Sequence, residues 1–382
     1  MYAGRMVAAV ASTGAVLVAV PSAAAATQAE WHVVKSVEPK YSKGFSDFDR
    51  VLAVGAAEAW VFGAGDGAEF AEEPTNDMLA YRFDGRTWRH TKLPGRLGNL
   101  WGPVVETGPS AVYAMARFQL PEAPSPPRKA HYSSTLVRWN GTRWTAMKGW
   151  KGYHLQAMAV LGPKNIWAFG SRVQNGRLVP VSVHYDGGKW TASTAPYLVE
   201  AVVKGPKGRL FATGYKPDGS LYGSGTARAL RFDGKRWRQL PDSACNGATH
   251  LARHRGKLVG TCTRYYDDGS VVGVFVVWNG AVWVAEKPKA ARGGALGAPV
   301  PARDGGLWFA GTDAKGKGAL LHRSASGAWS RTAISPEPLS GASYDSAGHM
   351  AALPGTSSLL RAGHTEDDMG DPTGALVRLD LP

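Results

Sequence analysis

The sequence predicts an all-β chain: a single seven-bladed β-propeller of four-stranded blades, its ring closed by N- and C-terminal strands that share one blade. Three observations predict it. A strand–turn–tryptophan phrase recurs: "YRFDGRTWRH" at 81–90, "VRWNGTRWTA" at 137–146, "VHYDGGKWTA" at 183–192 and "LRFDGKRWRQ" at 230–239. A second phrase, a short aromatic or aliphatic strand, precedes each copy. The two ends of the chain each read as part of one further unit.

Residues 1–26 stand outside that pattern. Arg5 is followed by an apolar stretch from Met6 to Val20, then Pro21 and the small residues Ala23 to Ala26. This is the layout of a secretory signal peptide with an Ala-x-Ala cleavage site, and the apolar stretch is short for a membrane span. The expected mature chain is 27–382, soluble, secreted and extracellular, with no membrane span. Its formal net charge of +14, or thirteen once Arg5 is removed, favours anionic extracellular surfaces. The lysines and arginines are scattered along outer-strand phrases such as "GKRWRQL" and form no single block. Nucleic acid is therefore not the expected partner.

The tryptophan phrase sets the period. Taking the residue four before each tryptophan as a marker gives Asp84, Asn140, Asp186, Asp233 and Asn279, at intervals of 56, 46, 47 and 46. A degenerate sixth copy, "LHRSASGAW", ends in Trp329. A period near 46 is that of a four-stranded propeller blade. The Asp-Gly and Asn-Gly pairs supply the positive φ that tight hairpin turns need. These tryptophans are expected to pack between neighbouring blades rather than to serve as sugar platforms.

The preceding strand gives seven copies: "AWVFGAG" at 59, "AVYAMARF" at 111, "NIWAFGSR" at 165, "RLFATGYK" at 209, "KLVGTCTR" at 257, "GLWFAGTD" at 306 and "HMAALPGT" at 349. Ahead of most of them lies another alternating strand, such as "FDRVLAVG", "LQAMAVLG" or "VEAVVKG". The seventh unit lacks its tryptophan because the chain stops two residues after Asp380. The segment "AEWHVVKSVEP" near the mature N-terminus reads as the missing outer strand, and adding it removes an open sheet edge.

Two cysteines, Cys245 and Cys262, lie seventeen positions apart. In an exported chain one disulfide is the default expectation. His250 and His254 lie between them, but "ATHLARH" reads as a strand. Two residues four apart on a strand sit roughly 13 Å apart, too far to share an ion. No metal is expected there.

The repeated unit "IWAFG…VHYDGGKW" resembles secreted bacterial propeller repeats written W-A-V-G followed by H-Y-D-G-x-x-W. It is similar in style to kelch repeats and to the Asp-box of sialidase-like propellers, and the resemblance covers nearly the whole mature chain. It departs from both. The glycines of "AWVFGAG" are separated where kelch blades carry a Gly-Gly pair. An Asp-box places Ser or Thr two residues before its Asp, where this chain has Arg82, Arg138, His184 and Arg231. The resemblance implies the fold and transfers no catalytic residue, since propellers host unrelated activities.

Function is expected in the loops joining second to third strands. The long ones are "DGAEFAEEPTND" in blade one, "FQLPEAPSPPRKAHYSS" in blade two and "SSLLRAGHTEDDMGDPT" in blade seven. Two are acidic in a basic protein: Glu69, Glu72, Glu73 and Asp77 in the first, Glu366, Asp367, Asp368 and Asp371 in the last. Converging, they form an acidic rim suited to Ca²⁺ or to a basic partner, although "EDDMGD" has no calcium-loop spacing. Catalytic candidates are Asp49 and Glu200 on inner strands, as a carboxylate pair for glycoside cleavage. Gln156 and Thr249 are their polar neighbours. His154 and His250 fall on inner strands too, where a hydrogen-bonded channel histidine is the simpler reading. No nucleotide loop, metal cluster or nucleophile motif appears. The sequence therefore points to a monomeric, non-catalytic binding module, with an extracellular glycan, a wall polymer or an exported protein as ligand and no cofactor required. The rival is a glycan-active hydrolase or lyase using channel-facing carboxylates.

Overall fold

The marker residue closes a turn, and that is why it recurs. In each copy its side-chain oxygen accepts two backbone N–H groups. Asp84 Oδ1 takes those of Arg86 and Thr87 at 3.0 and 2.9 Å, and Asn140, Asp186, Asp233 and Asn279 repeat the arrangement at 2.9–3.0 Å. The glycine that follows lies at φ 90–106° in all five copies, a region that disfavours any side chain. Ser324 replaces the marker in the sixth copy and takes the Ala328 N–H at 3.0 Å.

The computed structural model describes residues 30–38, 44–68, 77–95, 97–98, 102–108, 111–119, 132–175, 177–217, 228–242, 250–265, 271–286, 294–312, 318–332, 339, 349–366 and 372–381. Among them, 28 strands form seven antiparallel sheets of four. Blade one is β2 (Gly44–Gly55), β3 (Glu58–Ala68), β4 (Asp77–Phe83) and β5 (Trp88–His90). Blade two is β6 (Val104–Glu106), β7 (Val112–Gln119), β8 (Tyr132–Trp139) and β9 (Trp144–Lys151). Blade three is β10 (Tyr153–Gly162), β11 (Asn165–Gln174), β12 (Arg177–Tyr185) and β13 (Trp190–Thr194). Blade four is β14 (Leu198–Lys204), β15 (Leu210–Tyr215), β16 (Arg228–Phe232) and β17 (Trp237–Gln239). Blade five is β18 (His250–His254), β19 (Lys257–Tyr265), β20 (Val271–Trp278) and β21 (Trp283–Glu286). Blade six is β22 (Val300–Pro301), β23 (Leu307–Thr312), β24 (Gly318–Arg323) and β25 (Trp329–Thr332).

Blade seven is built from both ends of the chain. It stacks β26 (Met350–Ala352), β27 (Ser358–Glu366) and β28 (Pro372–Asp380), with β1 (Trp31–Val37) as its outermost strand. The register pairs Trp31 with Leu379, just as Trp88 pairs with Phe83 in blade one. Trp31 is thus the seventh tryptophan of the repeat, carried on the other end of the chain.

One assignment shifts by a strand. "HMAALPGT" is expected as the second strand of blade seven, yet Met350–Ala352 forms the inner strand, and the second strand is "SLLRAGHTE". The cause is composition: the inner strand is only three residues long, and Pro354 and Gly355 mimic the glycines that end a second strand elsewhere. The loop expected to run from 357 to 373 shrinks accordingly, since β27 reaches Glu366 and β28 starts at Pro372.

Aromatic rings fill the seams between blades. Trp60 of blade one, wholly buried, meets Trp139 and Trp144 of blade two with ring centres 5.0 and 5.3 Å apart, both edge-on. Phe169 of blade three meets Trp237 of blade four at 5.4 Å, and Phe275 of blade five meets Trp329 of blade six at 5.9 Å. Edge-on pairing suits the ring quadrupole and adds to area burial. The repeat tryptophans hold the ring together.

Candidate functional site

Antiparallel pairing sorts the ring's two ends. Inner strands start, second strands finish and third strands begin at one end. The Asx turns and the turns between first and second strands occupy the other. The inner strands abut around the axis, β22 against β26, then β2, β6, β10, β14 and β18 in order.

At the first end the inner strands of blades one, three and four share an irregularity. The pairing of β2 with β3 skips Asp49, that of β10 with β11 skips Gln156, and that of β14 with β15 skips Glu200. A bulge leaves one residue unpaired and re-aims its side chain. The three bulges therefore place an acid, an amide and an acid at one repeated position. Each bulge carries the inner backbone close to the second strand, and a glycine faces it. A Cβ on Gly63 would lie 1.8 Å from the Asp47 carbonyl oxygen, on Gly170 1.9 Å from that of His154, and on Gly214 2.4 Å from that of Leu198. In blade five the inner strand runs without a bulge, and Cys262 takes the glycine's place, fully buried.

Two seams next to these bulges carry complementary polar pairs at equivalent positions. Between blades seven and one, His364 Nδ1 donates to Asp47 Oδ1 at 3.3 Å, and Glu366 Oε1 lies 3.9 Å from His364 Nε2. Between blades two and three, Arg117 Nη1 donates to His154 Nε2 at 2.5 Å. The Arg117 guanidinium lies 5.3 Å from the Tyr132 ring centre, and that ring stacks on His154 at 5.4 Å. Arg172 sits 5.9 Å from the Tyr153 ring centre and donates to its hydroxyl at 3.4 Å. Gln156 Nε2 reaches the Val199 carbonyl at 3.2 Å, from blade three to blade four.

The electrostatics differ from group to group. Burial, reinforced by the charge of Asp47, pushes the Asp49 carboxyl up to about 7. Burial also raises Glu200, though that side chain sits at the exposed rim. The hydrogen bond to Asp47 holds the His364 imidazole above its usual range. Burial, with Arg117 adding, lowers His154 to about 4, and burial with Arg50 does the same for His349, just ahead of β26.

These shifts give opposite pH trends. His154 and His349 stay neutral in the folded chain but protonate near 6.5 when unfolded. Their stabilising effect holds above pH 6.5 and is lost as pH falls toward 4. Asp49 binds its proton near 7 when folded and near 3.8 when unfolded, so its contribution is full below 4 and lost as pH rises through 7. His154→Gln is expected to flatten the fall in melting temperature between pH 6.5 and 4, and Asp49→Asn to raise melting at pH 8 relative to wild type. Melting curves from pH 4 to 8 check both, and pH profiles that overlay wild type would contradict them.

Asp49, Glu200 and His154 all lie at this end of the ring, and His250 opens β18 at the same end. The acidic rim is only touched: Glu366 ends β27, half-exposed, and Asp77 opens β4 at this end. Glu69, Glu72, Glu73, Asp367, Asp368 and Asp371 lie outside the described residues, as do Thr249 and Cys245. Among the described residues no three His, Cys, Asp or Glu side chains gather as metal ligands. His254 belongs to another contact, with its Nε2 2.9 Å from the Gly305 carbonyl. Asp47, Arg117, Tyr132, Tyr153, Arg172, His349 and His364 join these residues without being marked out by any sequence motif. The run "SDFDR" carried a signal for the first, since two carboxylates and an arginine in an inner strand are unusual. For the rest, only knowing which strand ends meet reveals the cluster.

No family model matches the chain, and no curated protein matches it in sequence. Solved structures share its architecture at a distance. A protein of unknown function from Dyadobacter fermentans is 14% identical, covers 92% of this chain and 99% of its own, and superposes with a TM-score of 0.48. A sialidase from Trypanosoma rangeli, bound to the inhibitor DANA, is 12% identical with a TM-score of 0.44 over 79% of this chain, which spans only 58% of the sialidase's length. The β-propeller domain of the Trilobed protease from Pyrococcus furiosus is 9% identical over 75% of this chain and 98% of that one, with a TM-score of 0.39. These likenesses concern the fold alone. No helix among the described residues is long and apolar enough to cross a membrane.

Proposed function

We propose that the protein is an exported, monomeric, non-catalytic binding module for an extracellular glycan, which it takes at the end of the ring where Asp49, Gln156 and Glu200 emerge. The observation that carries this reading is the repeated bulge. The inner strands of blades one, three and four present acid, amide and acid side chains, the groups that bond sugar hydroxyls, beside the tyrosines Tyr132 and Tyr153 with arginines over their rings. Aromatic faces with a few placed polar groups are the usual make-up of a small-molecule site. Asp77 and Glu366, the described members of the acidic rim, belong to the same end, where a cation or a basic segment of an exported partner would meet them. Residues 1–26 are the export signal, and Cys245 and Cys262 form one disulfide; the intact mass of the secreted chain reads both.

The test is a melting-temperature screen against soluble neutral glucans, mannans, chitooligosaccharides, polyuronates, wall fragments and Ca²⁺. A ligand at about a hundred times its Kd stabilises a fold by roughly 2.7 kcal/mol. The expected result is a rise with one glycan class that Glu200→Gln and Gln156→Ala reduce by most of its size. A rise untouched by those changes would move the glycan site off this face, and no rise at all would leave an exported protein as the ligand.

A second reading rests on one observation. Asp49, with its carboxyl near 7, is suited to proton donation at neutral pH, which fits a glycan hydrolase or lyase with Glu200 as its partner carboxylate. Product release from the glycan that binds, abolished by Asp49→Asn with binding kept, would decide for it.

A further inference from the structure

The ring's other end holds a cleft of about 300 Å³ between blades four and five, with Phe211 and Trp278 among its walls. Five of its lining residues are cationic: Lys204, Arg209, Arg231, Arg253 and Lys257. Among the described residues no carboxylate lines it. Asp233 stands nearby on the Asx turn of blade four; its Oδ1 accepts the Lys235 and Arg236 backbone N–H groups at 3.0 and 2.9 Å, and its single charge is shared by Arg231 and Arg238.

Three other blades give the cation or histidine at these positions a polar partner, whereas blade two has Ala111 in that place and its Arg138 guanidinium lies 5.7 Å from the Tyr113 ring centre. Two residues before the marker, blade one has Arg82, and it is paired to Glu58, at the start of the second strand, at 2.9 Å. Blade three has His184, which donates to Asn165 at 3.0 Å from that same place. In blade six His322 meets Asp304 at 3.2 Å, in the equivalent cleft toward blade seven. Blade four keeps the cation, Arg231, and puts a second one, Arg209, where blade one has Glu58. Lys257 holds that place in blade five and lines the same cleft. Like charges on adjacent strand positions are destabilising, and a concave site lined by one sign of charge concentrates counter-ions.

We infer that this cleft is a second binding site, distinct from the glycan face and on the opposite end of the ring, for the anionic groups of an acidic extracellular polymer. The missing carboxylate is supplied by the ligand. Arg209 and Arg231 take the anion, Lys204, Arg253 and Lys257 surround it, and Phe211 and Trp278 provide an apolar wall for the linking carbons. Phosphodiester and carboxylate groups share the chemistry required.

The experiment titrates the full mature chain with poly(glycerol phosphate), polygalacturonate and neutral dextran at several salt concentrations. The expected result is salt-sensitive binding of one or both polyanions, which names the anion, and none of dextran. Arg209→Glu gives Arg231 the partner that Glu58 gives Arg82. It is therefore expected to weaken binding about tenfold or more while melting no lower than wild type. Lys257→Gln weakens binding less. Arg143→Glu, an equal charge change on the exposed turn of blade two, leaves binding close to wild type. Loss of binding in Arg143→Glu as large as in Arg209→Glu would reduce the effect to net charge and overturn the site. So would the absence of binding to either polyanion. The glycan reading survives either result, because a polyuronate held at the other end would lose binding in Gln156→Ala and keep it in Arg209→Glu.

Discussion

Removing residues 27–38 is expected to destroy the cooperative fold. The deletion takes away β1, the outer strand of blade seven, and leaves the whole of β28 as an unpaired edge. Trp31, 8% exposed, packs with Leu320, Leu359, Val377 and Leu379, with Trp308 against the cluster. Loss of that indole alone costs about 3–5 kcal/mol, and the exposed edge invites intermolecular pairing. In urea, Trp31→Ala is expected to shift the midpoint strongly downward, whereas the deletion yields aggregates on a sizing column. A peptide of residues 27–38 added in trans should restore part of the monomer. A truncated chain that melts as wild type would mean the ring does not close through this strand.

Gly170→Ala is the second large effect. The new methyl would meet the His154 carbonyl oxygen at 1.9 Å and the Leu155 Cα at 2.7 Å, both backbone atoms that no rotamer change can move. Relief requires flattening the bulge at Gln156. The expected cost is about 3 kcal/mol, at the upper end for overpacking, together with lost glycan binding because Gln156 is re-aimed. Gly162→Ala is the control: it ends the inner strand that carries the bulge, with nothing within 4 Å of its Cβ, and it should change melting little. Equal stability of the two variants would remove the link between glycine and bulge.

The bulge also explains what the sequence could and could not disclose. The period, the Asx turns and the split blade were legible because each is a local rule repeated: an Asp or Asn accepting two N–H groups, a glycine at positive φ, a tryptophan four residues on. "HMAALPGT" misled because a three-residue inner strand leaves almost no alternation to read. Asp49 and Glu200 were legible as inner-strand carboxylates, but their shared position was not, since a bulge shows only when register is known. Arg117 and His154 lie 37 residues apart, and His364 and Asp47 lie 317 apart. Pairs of that kind form only when the ring closes. The excess cations of the blade four–five cleft were visible as composition but became a site only by comparison with Glu58 and Asn165.

Hydrogen exchange of the native chain, with and without the glycan that raises its melting temperature, tests the assignment of the binding face most directly. The predicted result is slowed exchange at 44–50, 132–134, 153–157 and 198–201, where the bulged inner strands and the tyrosines meet. Slowing confined to the Asx turns at 84–87, 140–143 and 233–236, or slowing at neither end, would contradict it.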